Sequence, residues 1–193
     1  MRHARIIRAA VGAALLATPA FAAGSGSAPA TANVRRIVVS IPDRKLALIE
    51  NDAVVRVFDV AVGAPESPSP VGAFTVVSRV TNPTYYHPGK VIAPGASNPI
   101  GTRWIGLSEK GFGIHGTDDP KSIGLARSHG CIRLRNADVE KLFERVRGGD
   151  VVELHAERTA ETSALFPPSL ATDSNELRRT RRSAGGAKAG SAR

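Results

Sequence analysis

The stretch Val34–Gly63, VRRIVVSIPDRKLALIENDAVVRVFDVAVG, predicts the start of a β-sheet. It holds three runs rich in Val, Ile and Leu, separated by the turn sequences Pro42-Asp43 and Asn51-Asp52. In the third run, apolar residues recur at every second position, which is the period of a strand with one buried face. Two consecutive antiparallel hairpins are the simplest interpretation of this stretch.

The chain up to residue 155 continues with short strand-like runs and holds one helical pattern. Further strands are predicted at AFTVVSRV, WIGLS, GFGIHG and DVVELHA. Asn136 is a residue type favoured at the N-cap of a helix, and four apolar residues follow it at helical spacing. These apolar residues are Val139, Leu142, Phe143 and Val146. The sequence thus predicts a mainly β domain over 34–155 with one clear helix, in which the Pro- and Gly-rich segment 81–103 is a lid or binding loop.

The two ends of the chain differ in composition from this domain. Residues 1–22 combine three arginines with an apolar stretch and a small-residue cleavage site, which is the pattern of an export signal. The apolar stretch is too short for a lasting transmembrane anchor. Residues 23–33 predict a linker, and 156–193 predict a disordered basic tail. We therefore expect an exported protein, located in the periplasm or cell envelope, with no transmembrane anchor after signal cleavage.

The net charge of +9 is spread over three parts of the chain. Residues 1–22, 34–155 and 156–193 each contribute +3, and the middle part holds 16 basic and 13 acidic side chains. Nucleic-acid recognition requires a clustered, strongly basic face, so we expect no specific nucleic-acid partner. The basic tail is a candidate for association with anionic envelope polymers or membrane surfaces, the alternative being a solvated terminus.

The segment Ser128–Leu134, SHGCIRL, contains the single cysteine of the chain, Cys131. In an exported protein a cysteine without an intramolecular partner is a free thiol, and it carries an oxidation liability. A histidine activates a thiol by accepting its proton or by stabilising the thiolate. The candidates are His129, two residues away, and His115, which is expected at the end of a strand.

Other residues near Cys131 suggest a site for acyl chemistry. The backbone N–H groups of Gly130 and Cys131 are candidates for stabilising an oxyanion, and Arg133 for holding a carboxylate or the thiolate. Packing of the thiol in the core and zinc binding through His115, His129 and Cys131 are the alternatives. We expect no metal, because a His-x-Cys pair would crowd one ion, and no cofactor. His3, His87 and His155 are interpreted as structural, with His87 a weaker candidate for the lid.

Two motifs together carry a family resemblance. HGT at 115–117 and SHGCIRL at 128–134 closely resemble the signature of the L,D-transpeptidases with a YkuD-type catalytic domain. Two further stretches are similar to the family, VGAPESPSPVGAFTV at 62–76 and NPIGTRWIGLSEKGFGIHGT at 98–117. The resemblance covers about residues 35–155, which is the whole predicted domain.

The resemblance implies a β-sandwich-like fold and cysteine acyl transfer on peptidoglycan stem peptides. It implies that Cys131 is the nucleophile and His115 the general base, with the carbonyl of Gly116 orienting His115. The backbone N–H groups of Gly130 and Cys131 would form the oxyanion hole, and His129 and Ser128 would shape the site. Arg133 would position the substrate or the loop itself. Trp104 and the pair Tyr85 and Tyr86 would line the donor groove, with core packing as the alternative.

The implied reaction releases the terminal D-Ala of a tetrapeptide stem and transfers the acyl group to an amine, which makes a 3→3 crosslink in cell-wall biogenesis and remodelling. Water as acceptor would make the protein an L,D-carboxypeptidase, and a lysine of an envelope protein would make it an anchoring enzyme. Carbapenem-type β-lactams would acylate the same thiol. A catalytically idle wall-binding module and a redox-sensing thiol protein are the alternatives from other classes.

Overall fold

The computed structural model describes residues 34–168, and the sequence predictions for 1–33 and 169–193 lie outside this range. Twelve strands are present in the described part, and they confirm the prediction of a mainly β domain. The strands are β1 (Arg35–Ser40), β2 (Lys45–Glu50), β3 (Ala53–Asp59), β4 (Val62–Gly63), β5 (Gly72–Thr81), β6 (Tyr85–His87), β7 (Lys90–Ile92), β8 (Arg103–Leu107), β9 (Gly113–His115), β10 (Ala126–Ser128), β11 (Ile132–Arg133) and β12 (Val151–His155). The helices of this part are α1 (Asn136–Arg145), α2 (Ala160–Leu165) and the short 3-10 helix Pro120–Ser122. Neither α1 nor α2 has the length and apolar composition of a membrane span.

Eight of the strands form one sheet in the order β11-β9-β8-β5-β12-β1-β2-β3. The two hairpins predicted at the start of the domain are confirmed, because β2 pairs antiparallel with both β1 and β3. Two neighbouring pairs are parallel, β1 with β12 and β9 with β11. Parallel neighbours require a crossover connection, so the β9–β11 pair joins segments that are distant in sequence.

The hydrophobic core lies on both faces of β1. Ile37 belongs to the main cluster, whereas Val38, its neighbour on the opposite face, packs in a second cluster with Phe166. Ile114 of β9 and Ile132 of β11 are both fully buried in the main cluster. Because side chains alternate between the two faces of a strand, burial of these two residues directs the adjacent side chains of β9 and β11 to the other face.

Helix α1 forms where the apolar spacing predicts it, but its first residue has a different role from the predicted one. Val139 and Leu142 are fully buried and pack against the sheet. The N-cap is Arg135, which makes no side-chain capping bond, so the prediction of Asn136 as the N-cap is wrong. The carboxamide oxygen of Asn136 instead accepts backbone N–H groups outside the helix.

The predicted disorder of 156–193 is wrong for residues 156–168, where the chain forms α2. Thr159 and Thr162 form a capping box at its start, and Phe166 is buried in the second cluster. Arg36 of β1 also pairs with Glu161, with 2.5 Å between Nη2 and Oε1. A helix of six residues spans fewer than two turns, which is too short for a periodic apolar pattern to be visible in the sequence.

The segment predicted as a lid or binding loop contains the hairpin β6–β7, and one buried asparagine holds its base. The amide nitrogen of Asn98 donates to the carbonyls of Pro83 at 2.9 Å, Ile92 at 3.3 Å and Ala93 at 3.2 Å. Its carbonyl oxygen accepts the N–H of Ile100 at 3.0 Å. These bonds connect both ends of the hairpin to one side chain, so the hairpin has a fixed attachment to the domain.

Candidate active site

The parallel pair β9–β11 brings Cys131 and His115 to one side of the sheet. In its register Ile132 lies beside Ile114, and Arg133 beside His115. The two isoleucines point into the core, so His115 and Arg133 point away from it. Cys131, two residues before Arg133, lies on that same side by the alternation of an extended chain. The prediction that His115 ends a strand is confirmed.

Cys131 and His115 line a common cleft with a volume of about 690 Å³. One wall is formed by the segment that leads into β6 and by β6 itself, and the floor is formed by β8, β9 and β11. The cleft residues named in the sequence analysis are Tyr85, Tyr86, Trp104, His115, His129, Cys131 and Arg133. The structure therefore places each of these side chains at one cavity, which is large enough to hold a peptide segment.

The imidazole of His115 is held in one tautomer. Its Nδ1 lies 2.5 Å from the carbonyl oxygen of Gly116, and only an N–H on Nδ1 can donate to a carbonyl. The side chain is 4% exposed. Burial is the main cause that lowers the pKa of His115 from 6.5 to about 4. The Arg133 cation lowers this pKa further, and the hydrogen bond to Gly116 partly opposes the shift. At neutral pH the ring is therefore uncharged, and Nε2 holds a free lone pair for a proton.

Trp104 stacks on one face of the His115 imidazole. The indole and imidazole rings stack with centroids 5.6 Å apart and planes 18° apart, and the two residues are register partners in the antiparallel β8–β9 pair. The indole also lies over Gly113, where a Cβ would approach its ring carbons within 2.7 Å. A side chain at position 113 would displace the indole, so glycine there is required for the stacked geometry.

The turn that carries the nucleophile is closed by Ser128. Its hydroxyl donates to the carbonyl of Cys131 at 2.5 Å and accepts the N–H of Gly130 at 3.1 Å. Gly130 has a φ of +101°, and a Cβ there would lie 2.5 Å from the ring of Phe112. Ser128 and Gly130 therefore shape the turn, Ser128 through hydrogen bonds and Gly130 through its conformation and lack of a side chain.

The same contacts correct one sequence prediction. The N–H of Gly130 was expected to face the oxyanion, but its hydrogen bond is made to Ser128 Oγ. A donor already bound to a buried hydroxyl is not available to a substrate oxygen. The N–H of Cys131 therefore remains the candidate oxyanion donor of the two that were predicted.

The thiol of Cys131 is free and half-buried. Sγ lies 3.6 Å from the carbonyl oxygen of Gly111, to which the thiol donates. Burial raises the pKa of the Cys131 thiol, while a backbone hydrogen bond from Gly113 and the cation of Arg133 act in the opposite direction. At neutral pH the site therefore holds a protonated thiol beside a neutral imidazole.

Arg133 is fixed by its backbone and has an unused donor. Its N–H and C=O bond to Ala61, at 3.0 and 2.9 Å. Within residues 34–168, the buried Nε of Arg133 has no hydrogen-bond partner. The guanidinium lines the cleft beside Cys131 and His115, so its position fits an anionic group of a ligand.

The other predicted site residues have exposed side chains at the cleft or lie outside it. His129 and Tyr86 line the cleft with exposed side chains, Tyr86 being 74% exposed. His87 is exposed on β6, with Nδ1 3.2 Å from the carbonyl oxygen of Pro88. His155 lies on β12 beside Glu153, at 3.5 Å between Nε2 and the carboxylate. These positions leave His115 as the buried imidazole of the cleft.

A group with the composition of a metal site lies elsewhere in the described part. Glu153, His155 and Glu161 have ligand atoms within 4.8 Å of one another. Arg36 pairs with both carboxylates, at 3.9 Å to Glu153 and 2.5 Å to Glu161. The guanidinium already supplies the positive charge there, and we interpret the group as an ion-pair network that attaches α2 to β1 and β12.

Asn136 is the site residue that sequence reasoning missed. Its Oδ1 lies 3.2 Å from the backbone nitrogen of Thr102 and 3.2 Å from that of Thr117, which directly follows the His115–Gly116 dipeptide. The sequence singles out Asn136, but only as a helix cap.

Comparisons with known proteins place this fold and sequence beside one family. Residues 34–154 match the family model YkuD, described as the L,D-transpeptidase catalytic domain. The YkuD protein of Bacillus licheniformis is 40% identical over 119 residues, covering 62% of this chain and 64% of that protein. A solved L,D-transpeptidase from Mycobacterium smegmatis has a TM-score of 0.55 at 22% identity, covering 64% of this chain and 59% of the other. An L,D-transpeptidase in complex with imipenem has a TM-score of 0.54 at 23% identity, covering 64% and 59%.

The chain therefore belongs to the L,D-transpeptidase catalytic-domain family, which confirms the resemblance carried by the two motifs. The solved structures establish that the fold is shared. The chain spans less than two thirds of the length of each of these relatives.

Proposed function

We propose that this chain is a peptidoglycan L,D-transpeptidase in which Cys131 is the nucleophile and His115 the general base and acid. The observation that carries the proposal is the placement of both side chains on one face of the β9–β11 pair, with the tautomer of His115 set by Gly116. Family membership supports a peptidoglycan stem peptide as the substrate.

The first half-reaction forms a thioester. His115 Nε2 takes the proton of the Cys131 thiol as Sγ bonds to the carbonyl carbon of the third stem residue. The carbonyl oxygen becomes an oxyanion, which the N–H of Cys131 stabilises. The C–N bond to the terminal D-Ala then breaks, and His115 returns its proton to the departing amine. The Cys131–His115 pair is electrically neutral before attack and after release.

The second half-reaction consumes the thioester. The amine of an acceptor stem attacks the thioester carbon, its proton passes to His115, and the C–S bond breaks with return of the proton to Sγ. The product is a 3→3 crosslink, as cell-wall biogenesis and remodelling require. Water in place of the amine gives an L,D-carboxypeptidase, and a protein lysine gives an anchoring reaction.

The remaining cleft residues bind the donor. Arg133 has an unpartnered buried Nε within the described chain and faces a ligand carboxylate, which stem peptides carry. Trp104, Tyr85 and Tyr86 supply apolar surface along the donor, and His129 contacts it from the exposed edge of the cleft. We further propose that the protein acts after export, in the periplasm or cell envelope, and that the basic tail adds affinity for anionic polymers there.

The test uses mature protein lacking residues 1–22 and purified disaccharide-tetrapeptides. Mass spectrometry should find crosslinked dimer, tripeptide or exchanged product, together with a covalent adduct after imipenem treatment. Cys131→Ala should abolish both, and His115→Ala should lower turnover by about 10²- to 10⁴-fold. Absence of products and adduct from the wild type, or an adduct that survives in Cys131→Ala, would contradict the proposal.

A further inference from the structure

Asn136 uses its side chain in an unusual way for the first residue of a helix. A side chain at a helix N-terminus typically accepts an N–H of its own first turn. The oxygen of Asn136 instead accepts the N–H groups of Thr102 and Thr117, at 3.2 Å each. These two amides belong to separate segments, one entering β8 and the other leaving β9, so one carboxamide links α1 to both.

Two glycines make room for this oxygen. A Cβ at Gly101 or at Gly116 would lie 2.1 Å from Asn136 Oδ1. At Gly101 a φ of +61° also favours glycine, but the φ of Gly116 is not in the left-handed region. At Gly116 the close approach of Asn136 is therefore the physical reason for glycine within the HGT motif.

The bond to Thr117 reaches His115 through a single peptide group. The N–H of the Gly116–Thr117 peptide donates to Asn136, and the C=O of the same peptide accepts from His115 Nδ1. The peptide unit is planar, so a hydrogen bond at its N–H fixes the direction of its carbonyl. Accepting the N–H also polarises the unit, which makes the carbonyl a better acceptor.

We propose that Asn136 is a positioning residue for His115, acting through the Gly116–Thr117 peptide. The inference rests on the proposed role of His115 as the base. Asn136 lies five residues after Cys131, and the N–H of Leu134, between them, bonds to the carbonyl of His115 at 2.8 Å. The segment that follows Cys131 thus fixes both the backbone position and the ring tautomer of His115.

The test compares three variants. Asn136→Ala removes the acceptor, Asn136→Asp keeps an oxygen at the same place, and Val139→Ala loosens the packing of α1 without touching the peptide. We expect Asn136→Ala to lower kcat by about 10- to 100-fold with little change in KM, the loss typical when a group that orients a functional histidine is removed. Asn136→Asp should recover most of kcat, and Val139→Ala should lower thermal stability but keep kcat.

A spectroscopic measurement separates positioning from stability. Ring ¹⁵N shifts of His115 should show protonated Nδ1 in the wild type and in Asn136→Asp, and a mixture of tautomers in Asn136→Ala. If Asn136→Ala does not fold, Asn136→Ser takes its place, because its shorter side chain withdraws the oxygen from both amides. Unchanged kcat and tautomer in the alanine or serine variant, or an aspartate variant as impaired as the alanine one, would overturn the inference. An inactive wild type would instead refute the proposed function.

Discussion

The imidazole of His115 lies between the indole of Trp104 on one face and the backbone carbonyl of Gly116 at its edge. Stacking at 5.6 Å keeps water away from the ring, and the carbonyl holds the proton on Nδ1. Together these contacts present Nε2 as the basic nitrogen. In the proposed mechanism the base is therefore prepared by burial and by a backbone dipole, and no carboxylate of residues 34–168 bonds to its ring.

Replacement of Trp104 should raise the pKa of His115. Burial is the main cause of its low pKa, so Trp104→Ala admits water and moves the pKa from about 4 toward 6.5. In a pH profile of thiol acylation by imipenem, the ascending limb should move to higher pH by the same amount. Trp104→Phe, which keeps an aromatic ring, serves as the control and should stay close to the wild type. Arg133, whose cation also lowers the pKa of His115, is unaltered in both variants.

The stability of the domain should depend on pH through His115. The folded state binds fewer protons than the unfolded state between pH 6.5 and about 4, because the pKa of His115 is lowered on folding. The contribution is fully present above pH 6.5 and is lost as pH falls to about 4, by on the order of 3 kcal/mol. Urea unfolding at several pH values should show this slope in the wild type and a flatter one in His115→Gln. Equal slopes in the two proteins would show that His115 is not the group responsible.

Ser128 should matter for turnover although it is not among the residues that line the cleft. Ser128→Ala leaves the buried N–H of Gly130 without its acceptor, which costs about 1–3 kcal/mol of stability and loosens the turn that carries Cys131. We expect lower kcat together with lower thermal stability. Ser128→Thr keeps the hydroxyl and is the matched control. If the alanine variant keeps the acylation rate of the wild type, the turn does not need this hydroxyl.

Asn98 should control substrate binding through the hairpin β6–β7. Asn98→Ala removes the donor shared by the carbonyls of Pro83, Ile92 and Ala93, so the wall of the cleft loses its attachment. KM for the tetrapeptide donor should rise, whereas the acylation chemistry at saturation should change little. The exposed neighbour variant Ser97→Ala should leave both unchanged. A fall in kcat with unchanged KM would contradict this assignment.

Residues 156–168 should contribute to the folding of the domain. Phe166→Ala empties a buried position in the second cluster and should lower the free energy of unfolding by about 3–5 kcal/mol. Thermal and urea unfolding measure this loss, with Ser163→Ala on the exposed side of α2 as the control. Activity at low temperature should persist in both variants, since α2 does not line the cleft. No loss of stability in Phe166→Ala would mean that the domain ends at β12.

The sequence was sufficient for the parts of the fold that rest on periodicity and motif. The first hairpins, α1 and the strand end at His115 follow from apolar spacing and turn residues, and the family followed from two short motifs. It was insufficient where one side chain had two possible partners. Asn136 has the chemistry of a helix cap, and only the tertiary structure shows that its oxygen bonds to Thr102 and Thr117 instead.

The same limitation applied to Gly130. A free N–H next to the nucleophile suggests an oxyanion donor, yet a serine two residues earlier competes for it, as serines in turns often do. Local hydrogen bonds of this kind are short-range and could have been considered from the sequence. The burial of Phe166 could not have been predicted from the sequence, because it depends on which face of β1 remains uncovered.

At the proposed location in the periplasm or cell envelope, the single thiol of the chain would be exposed to oxidants between turnovers. Peroxides react with thiolate, and the raised pKa of Cys131 leaves little thiolate in the resting site. In the proposed mechanism, the thiol becomes reactive only while a substrate occupies the cleft and His115 takes its proton. The neutral resting pair thus protects the thiol from oxidation. A peroxide sensor requires the opposite property, a cysteine with a low pKa.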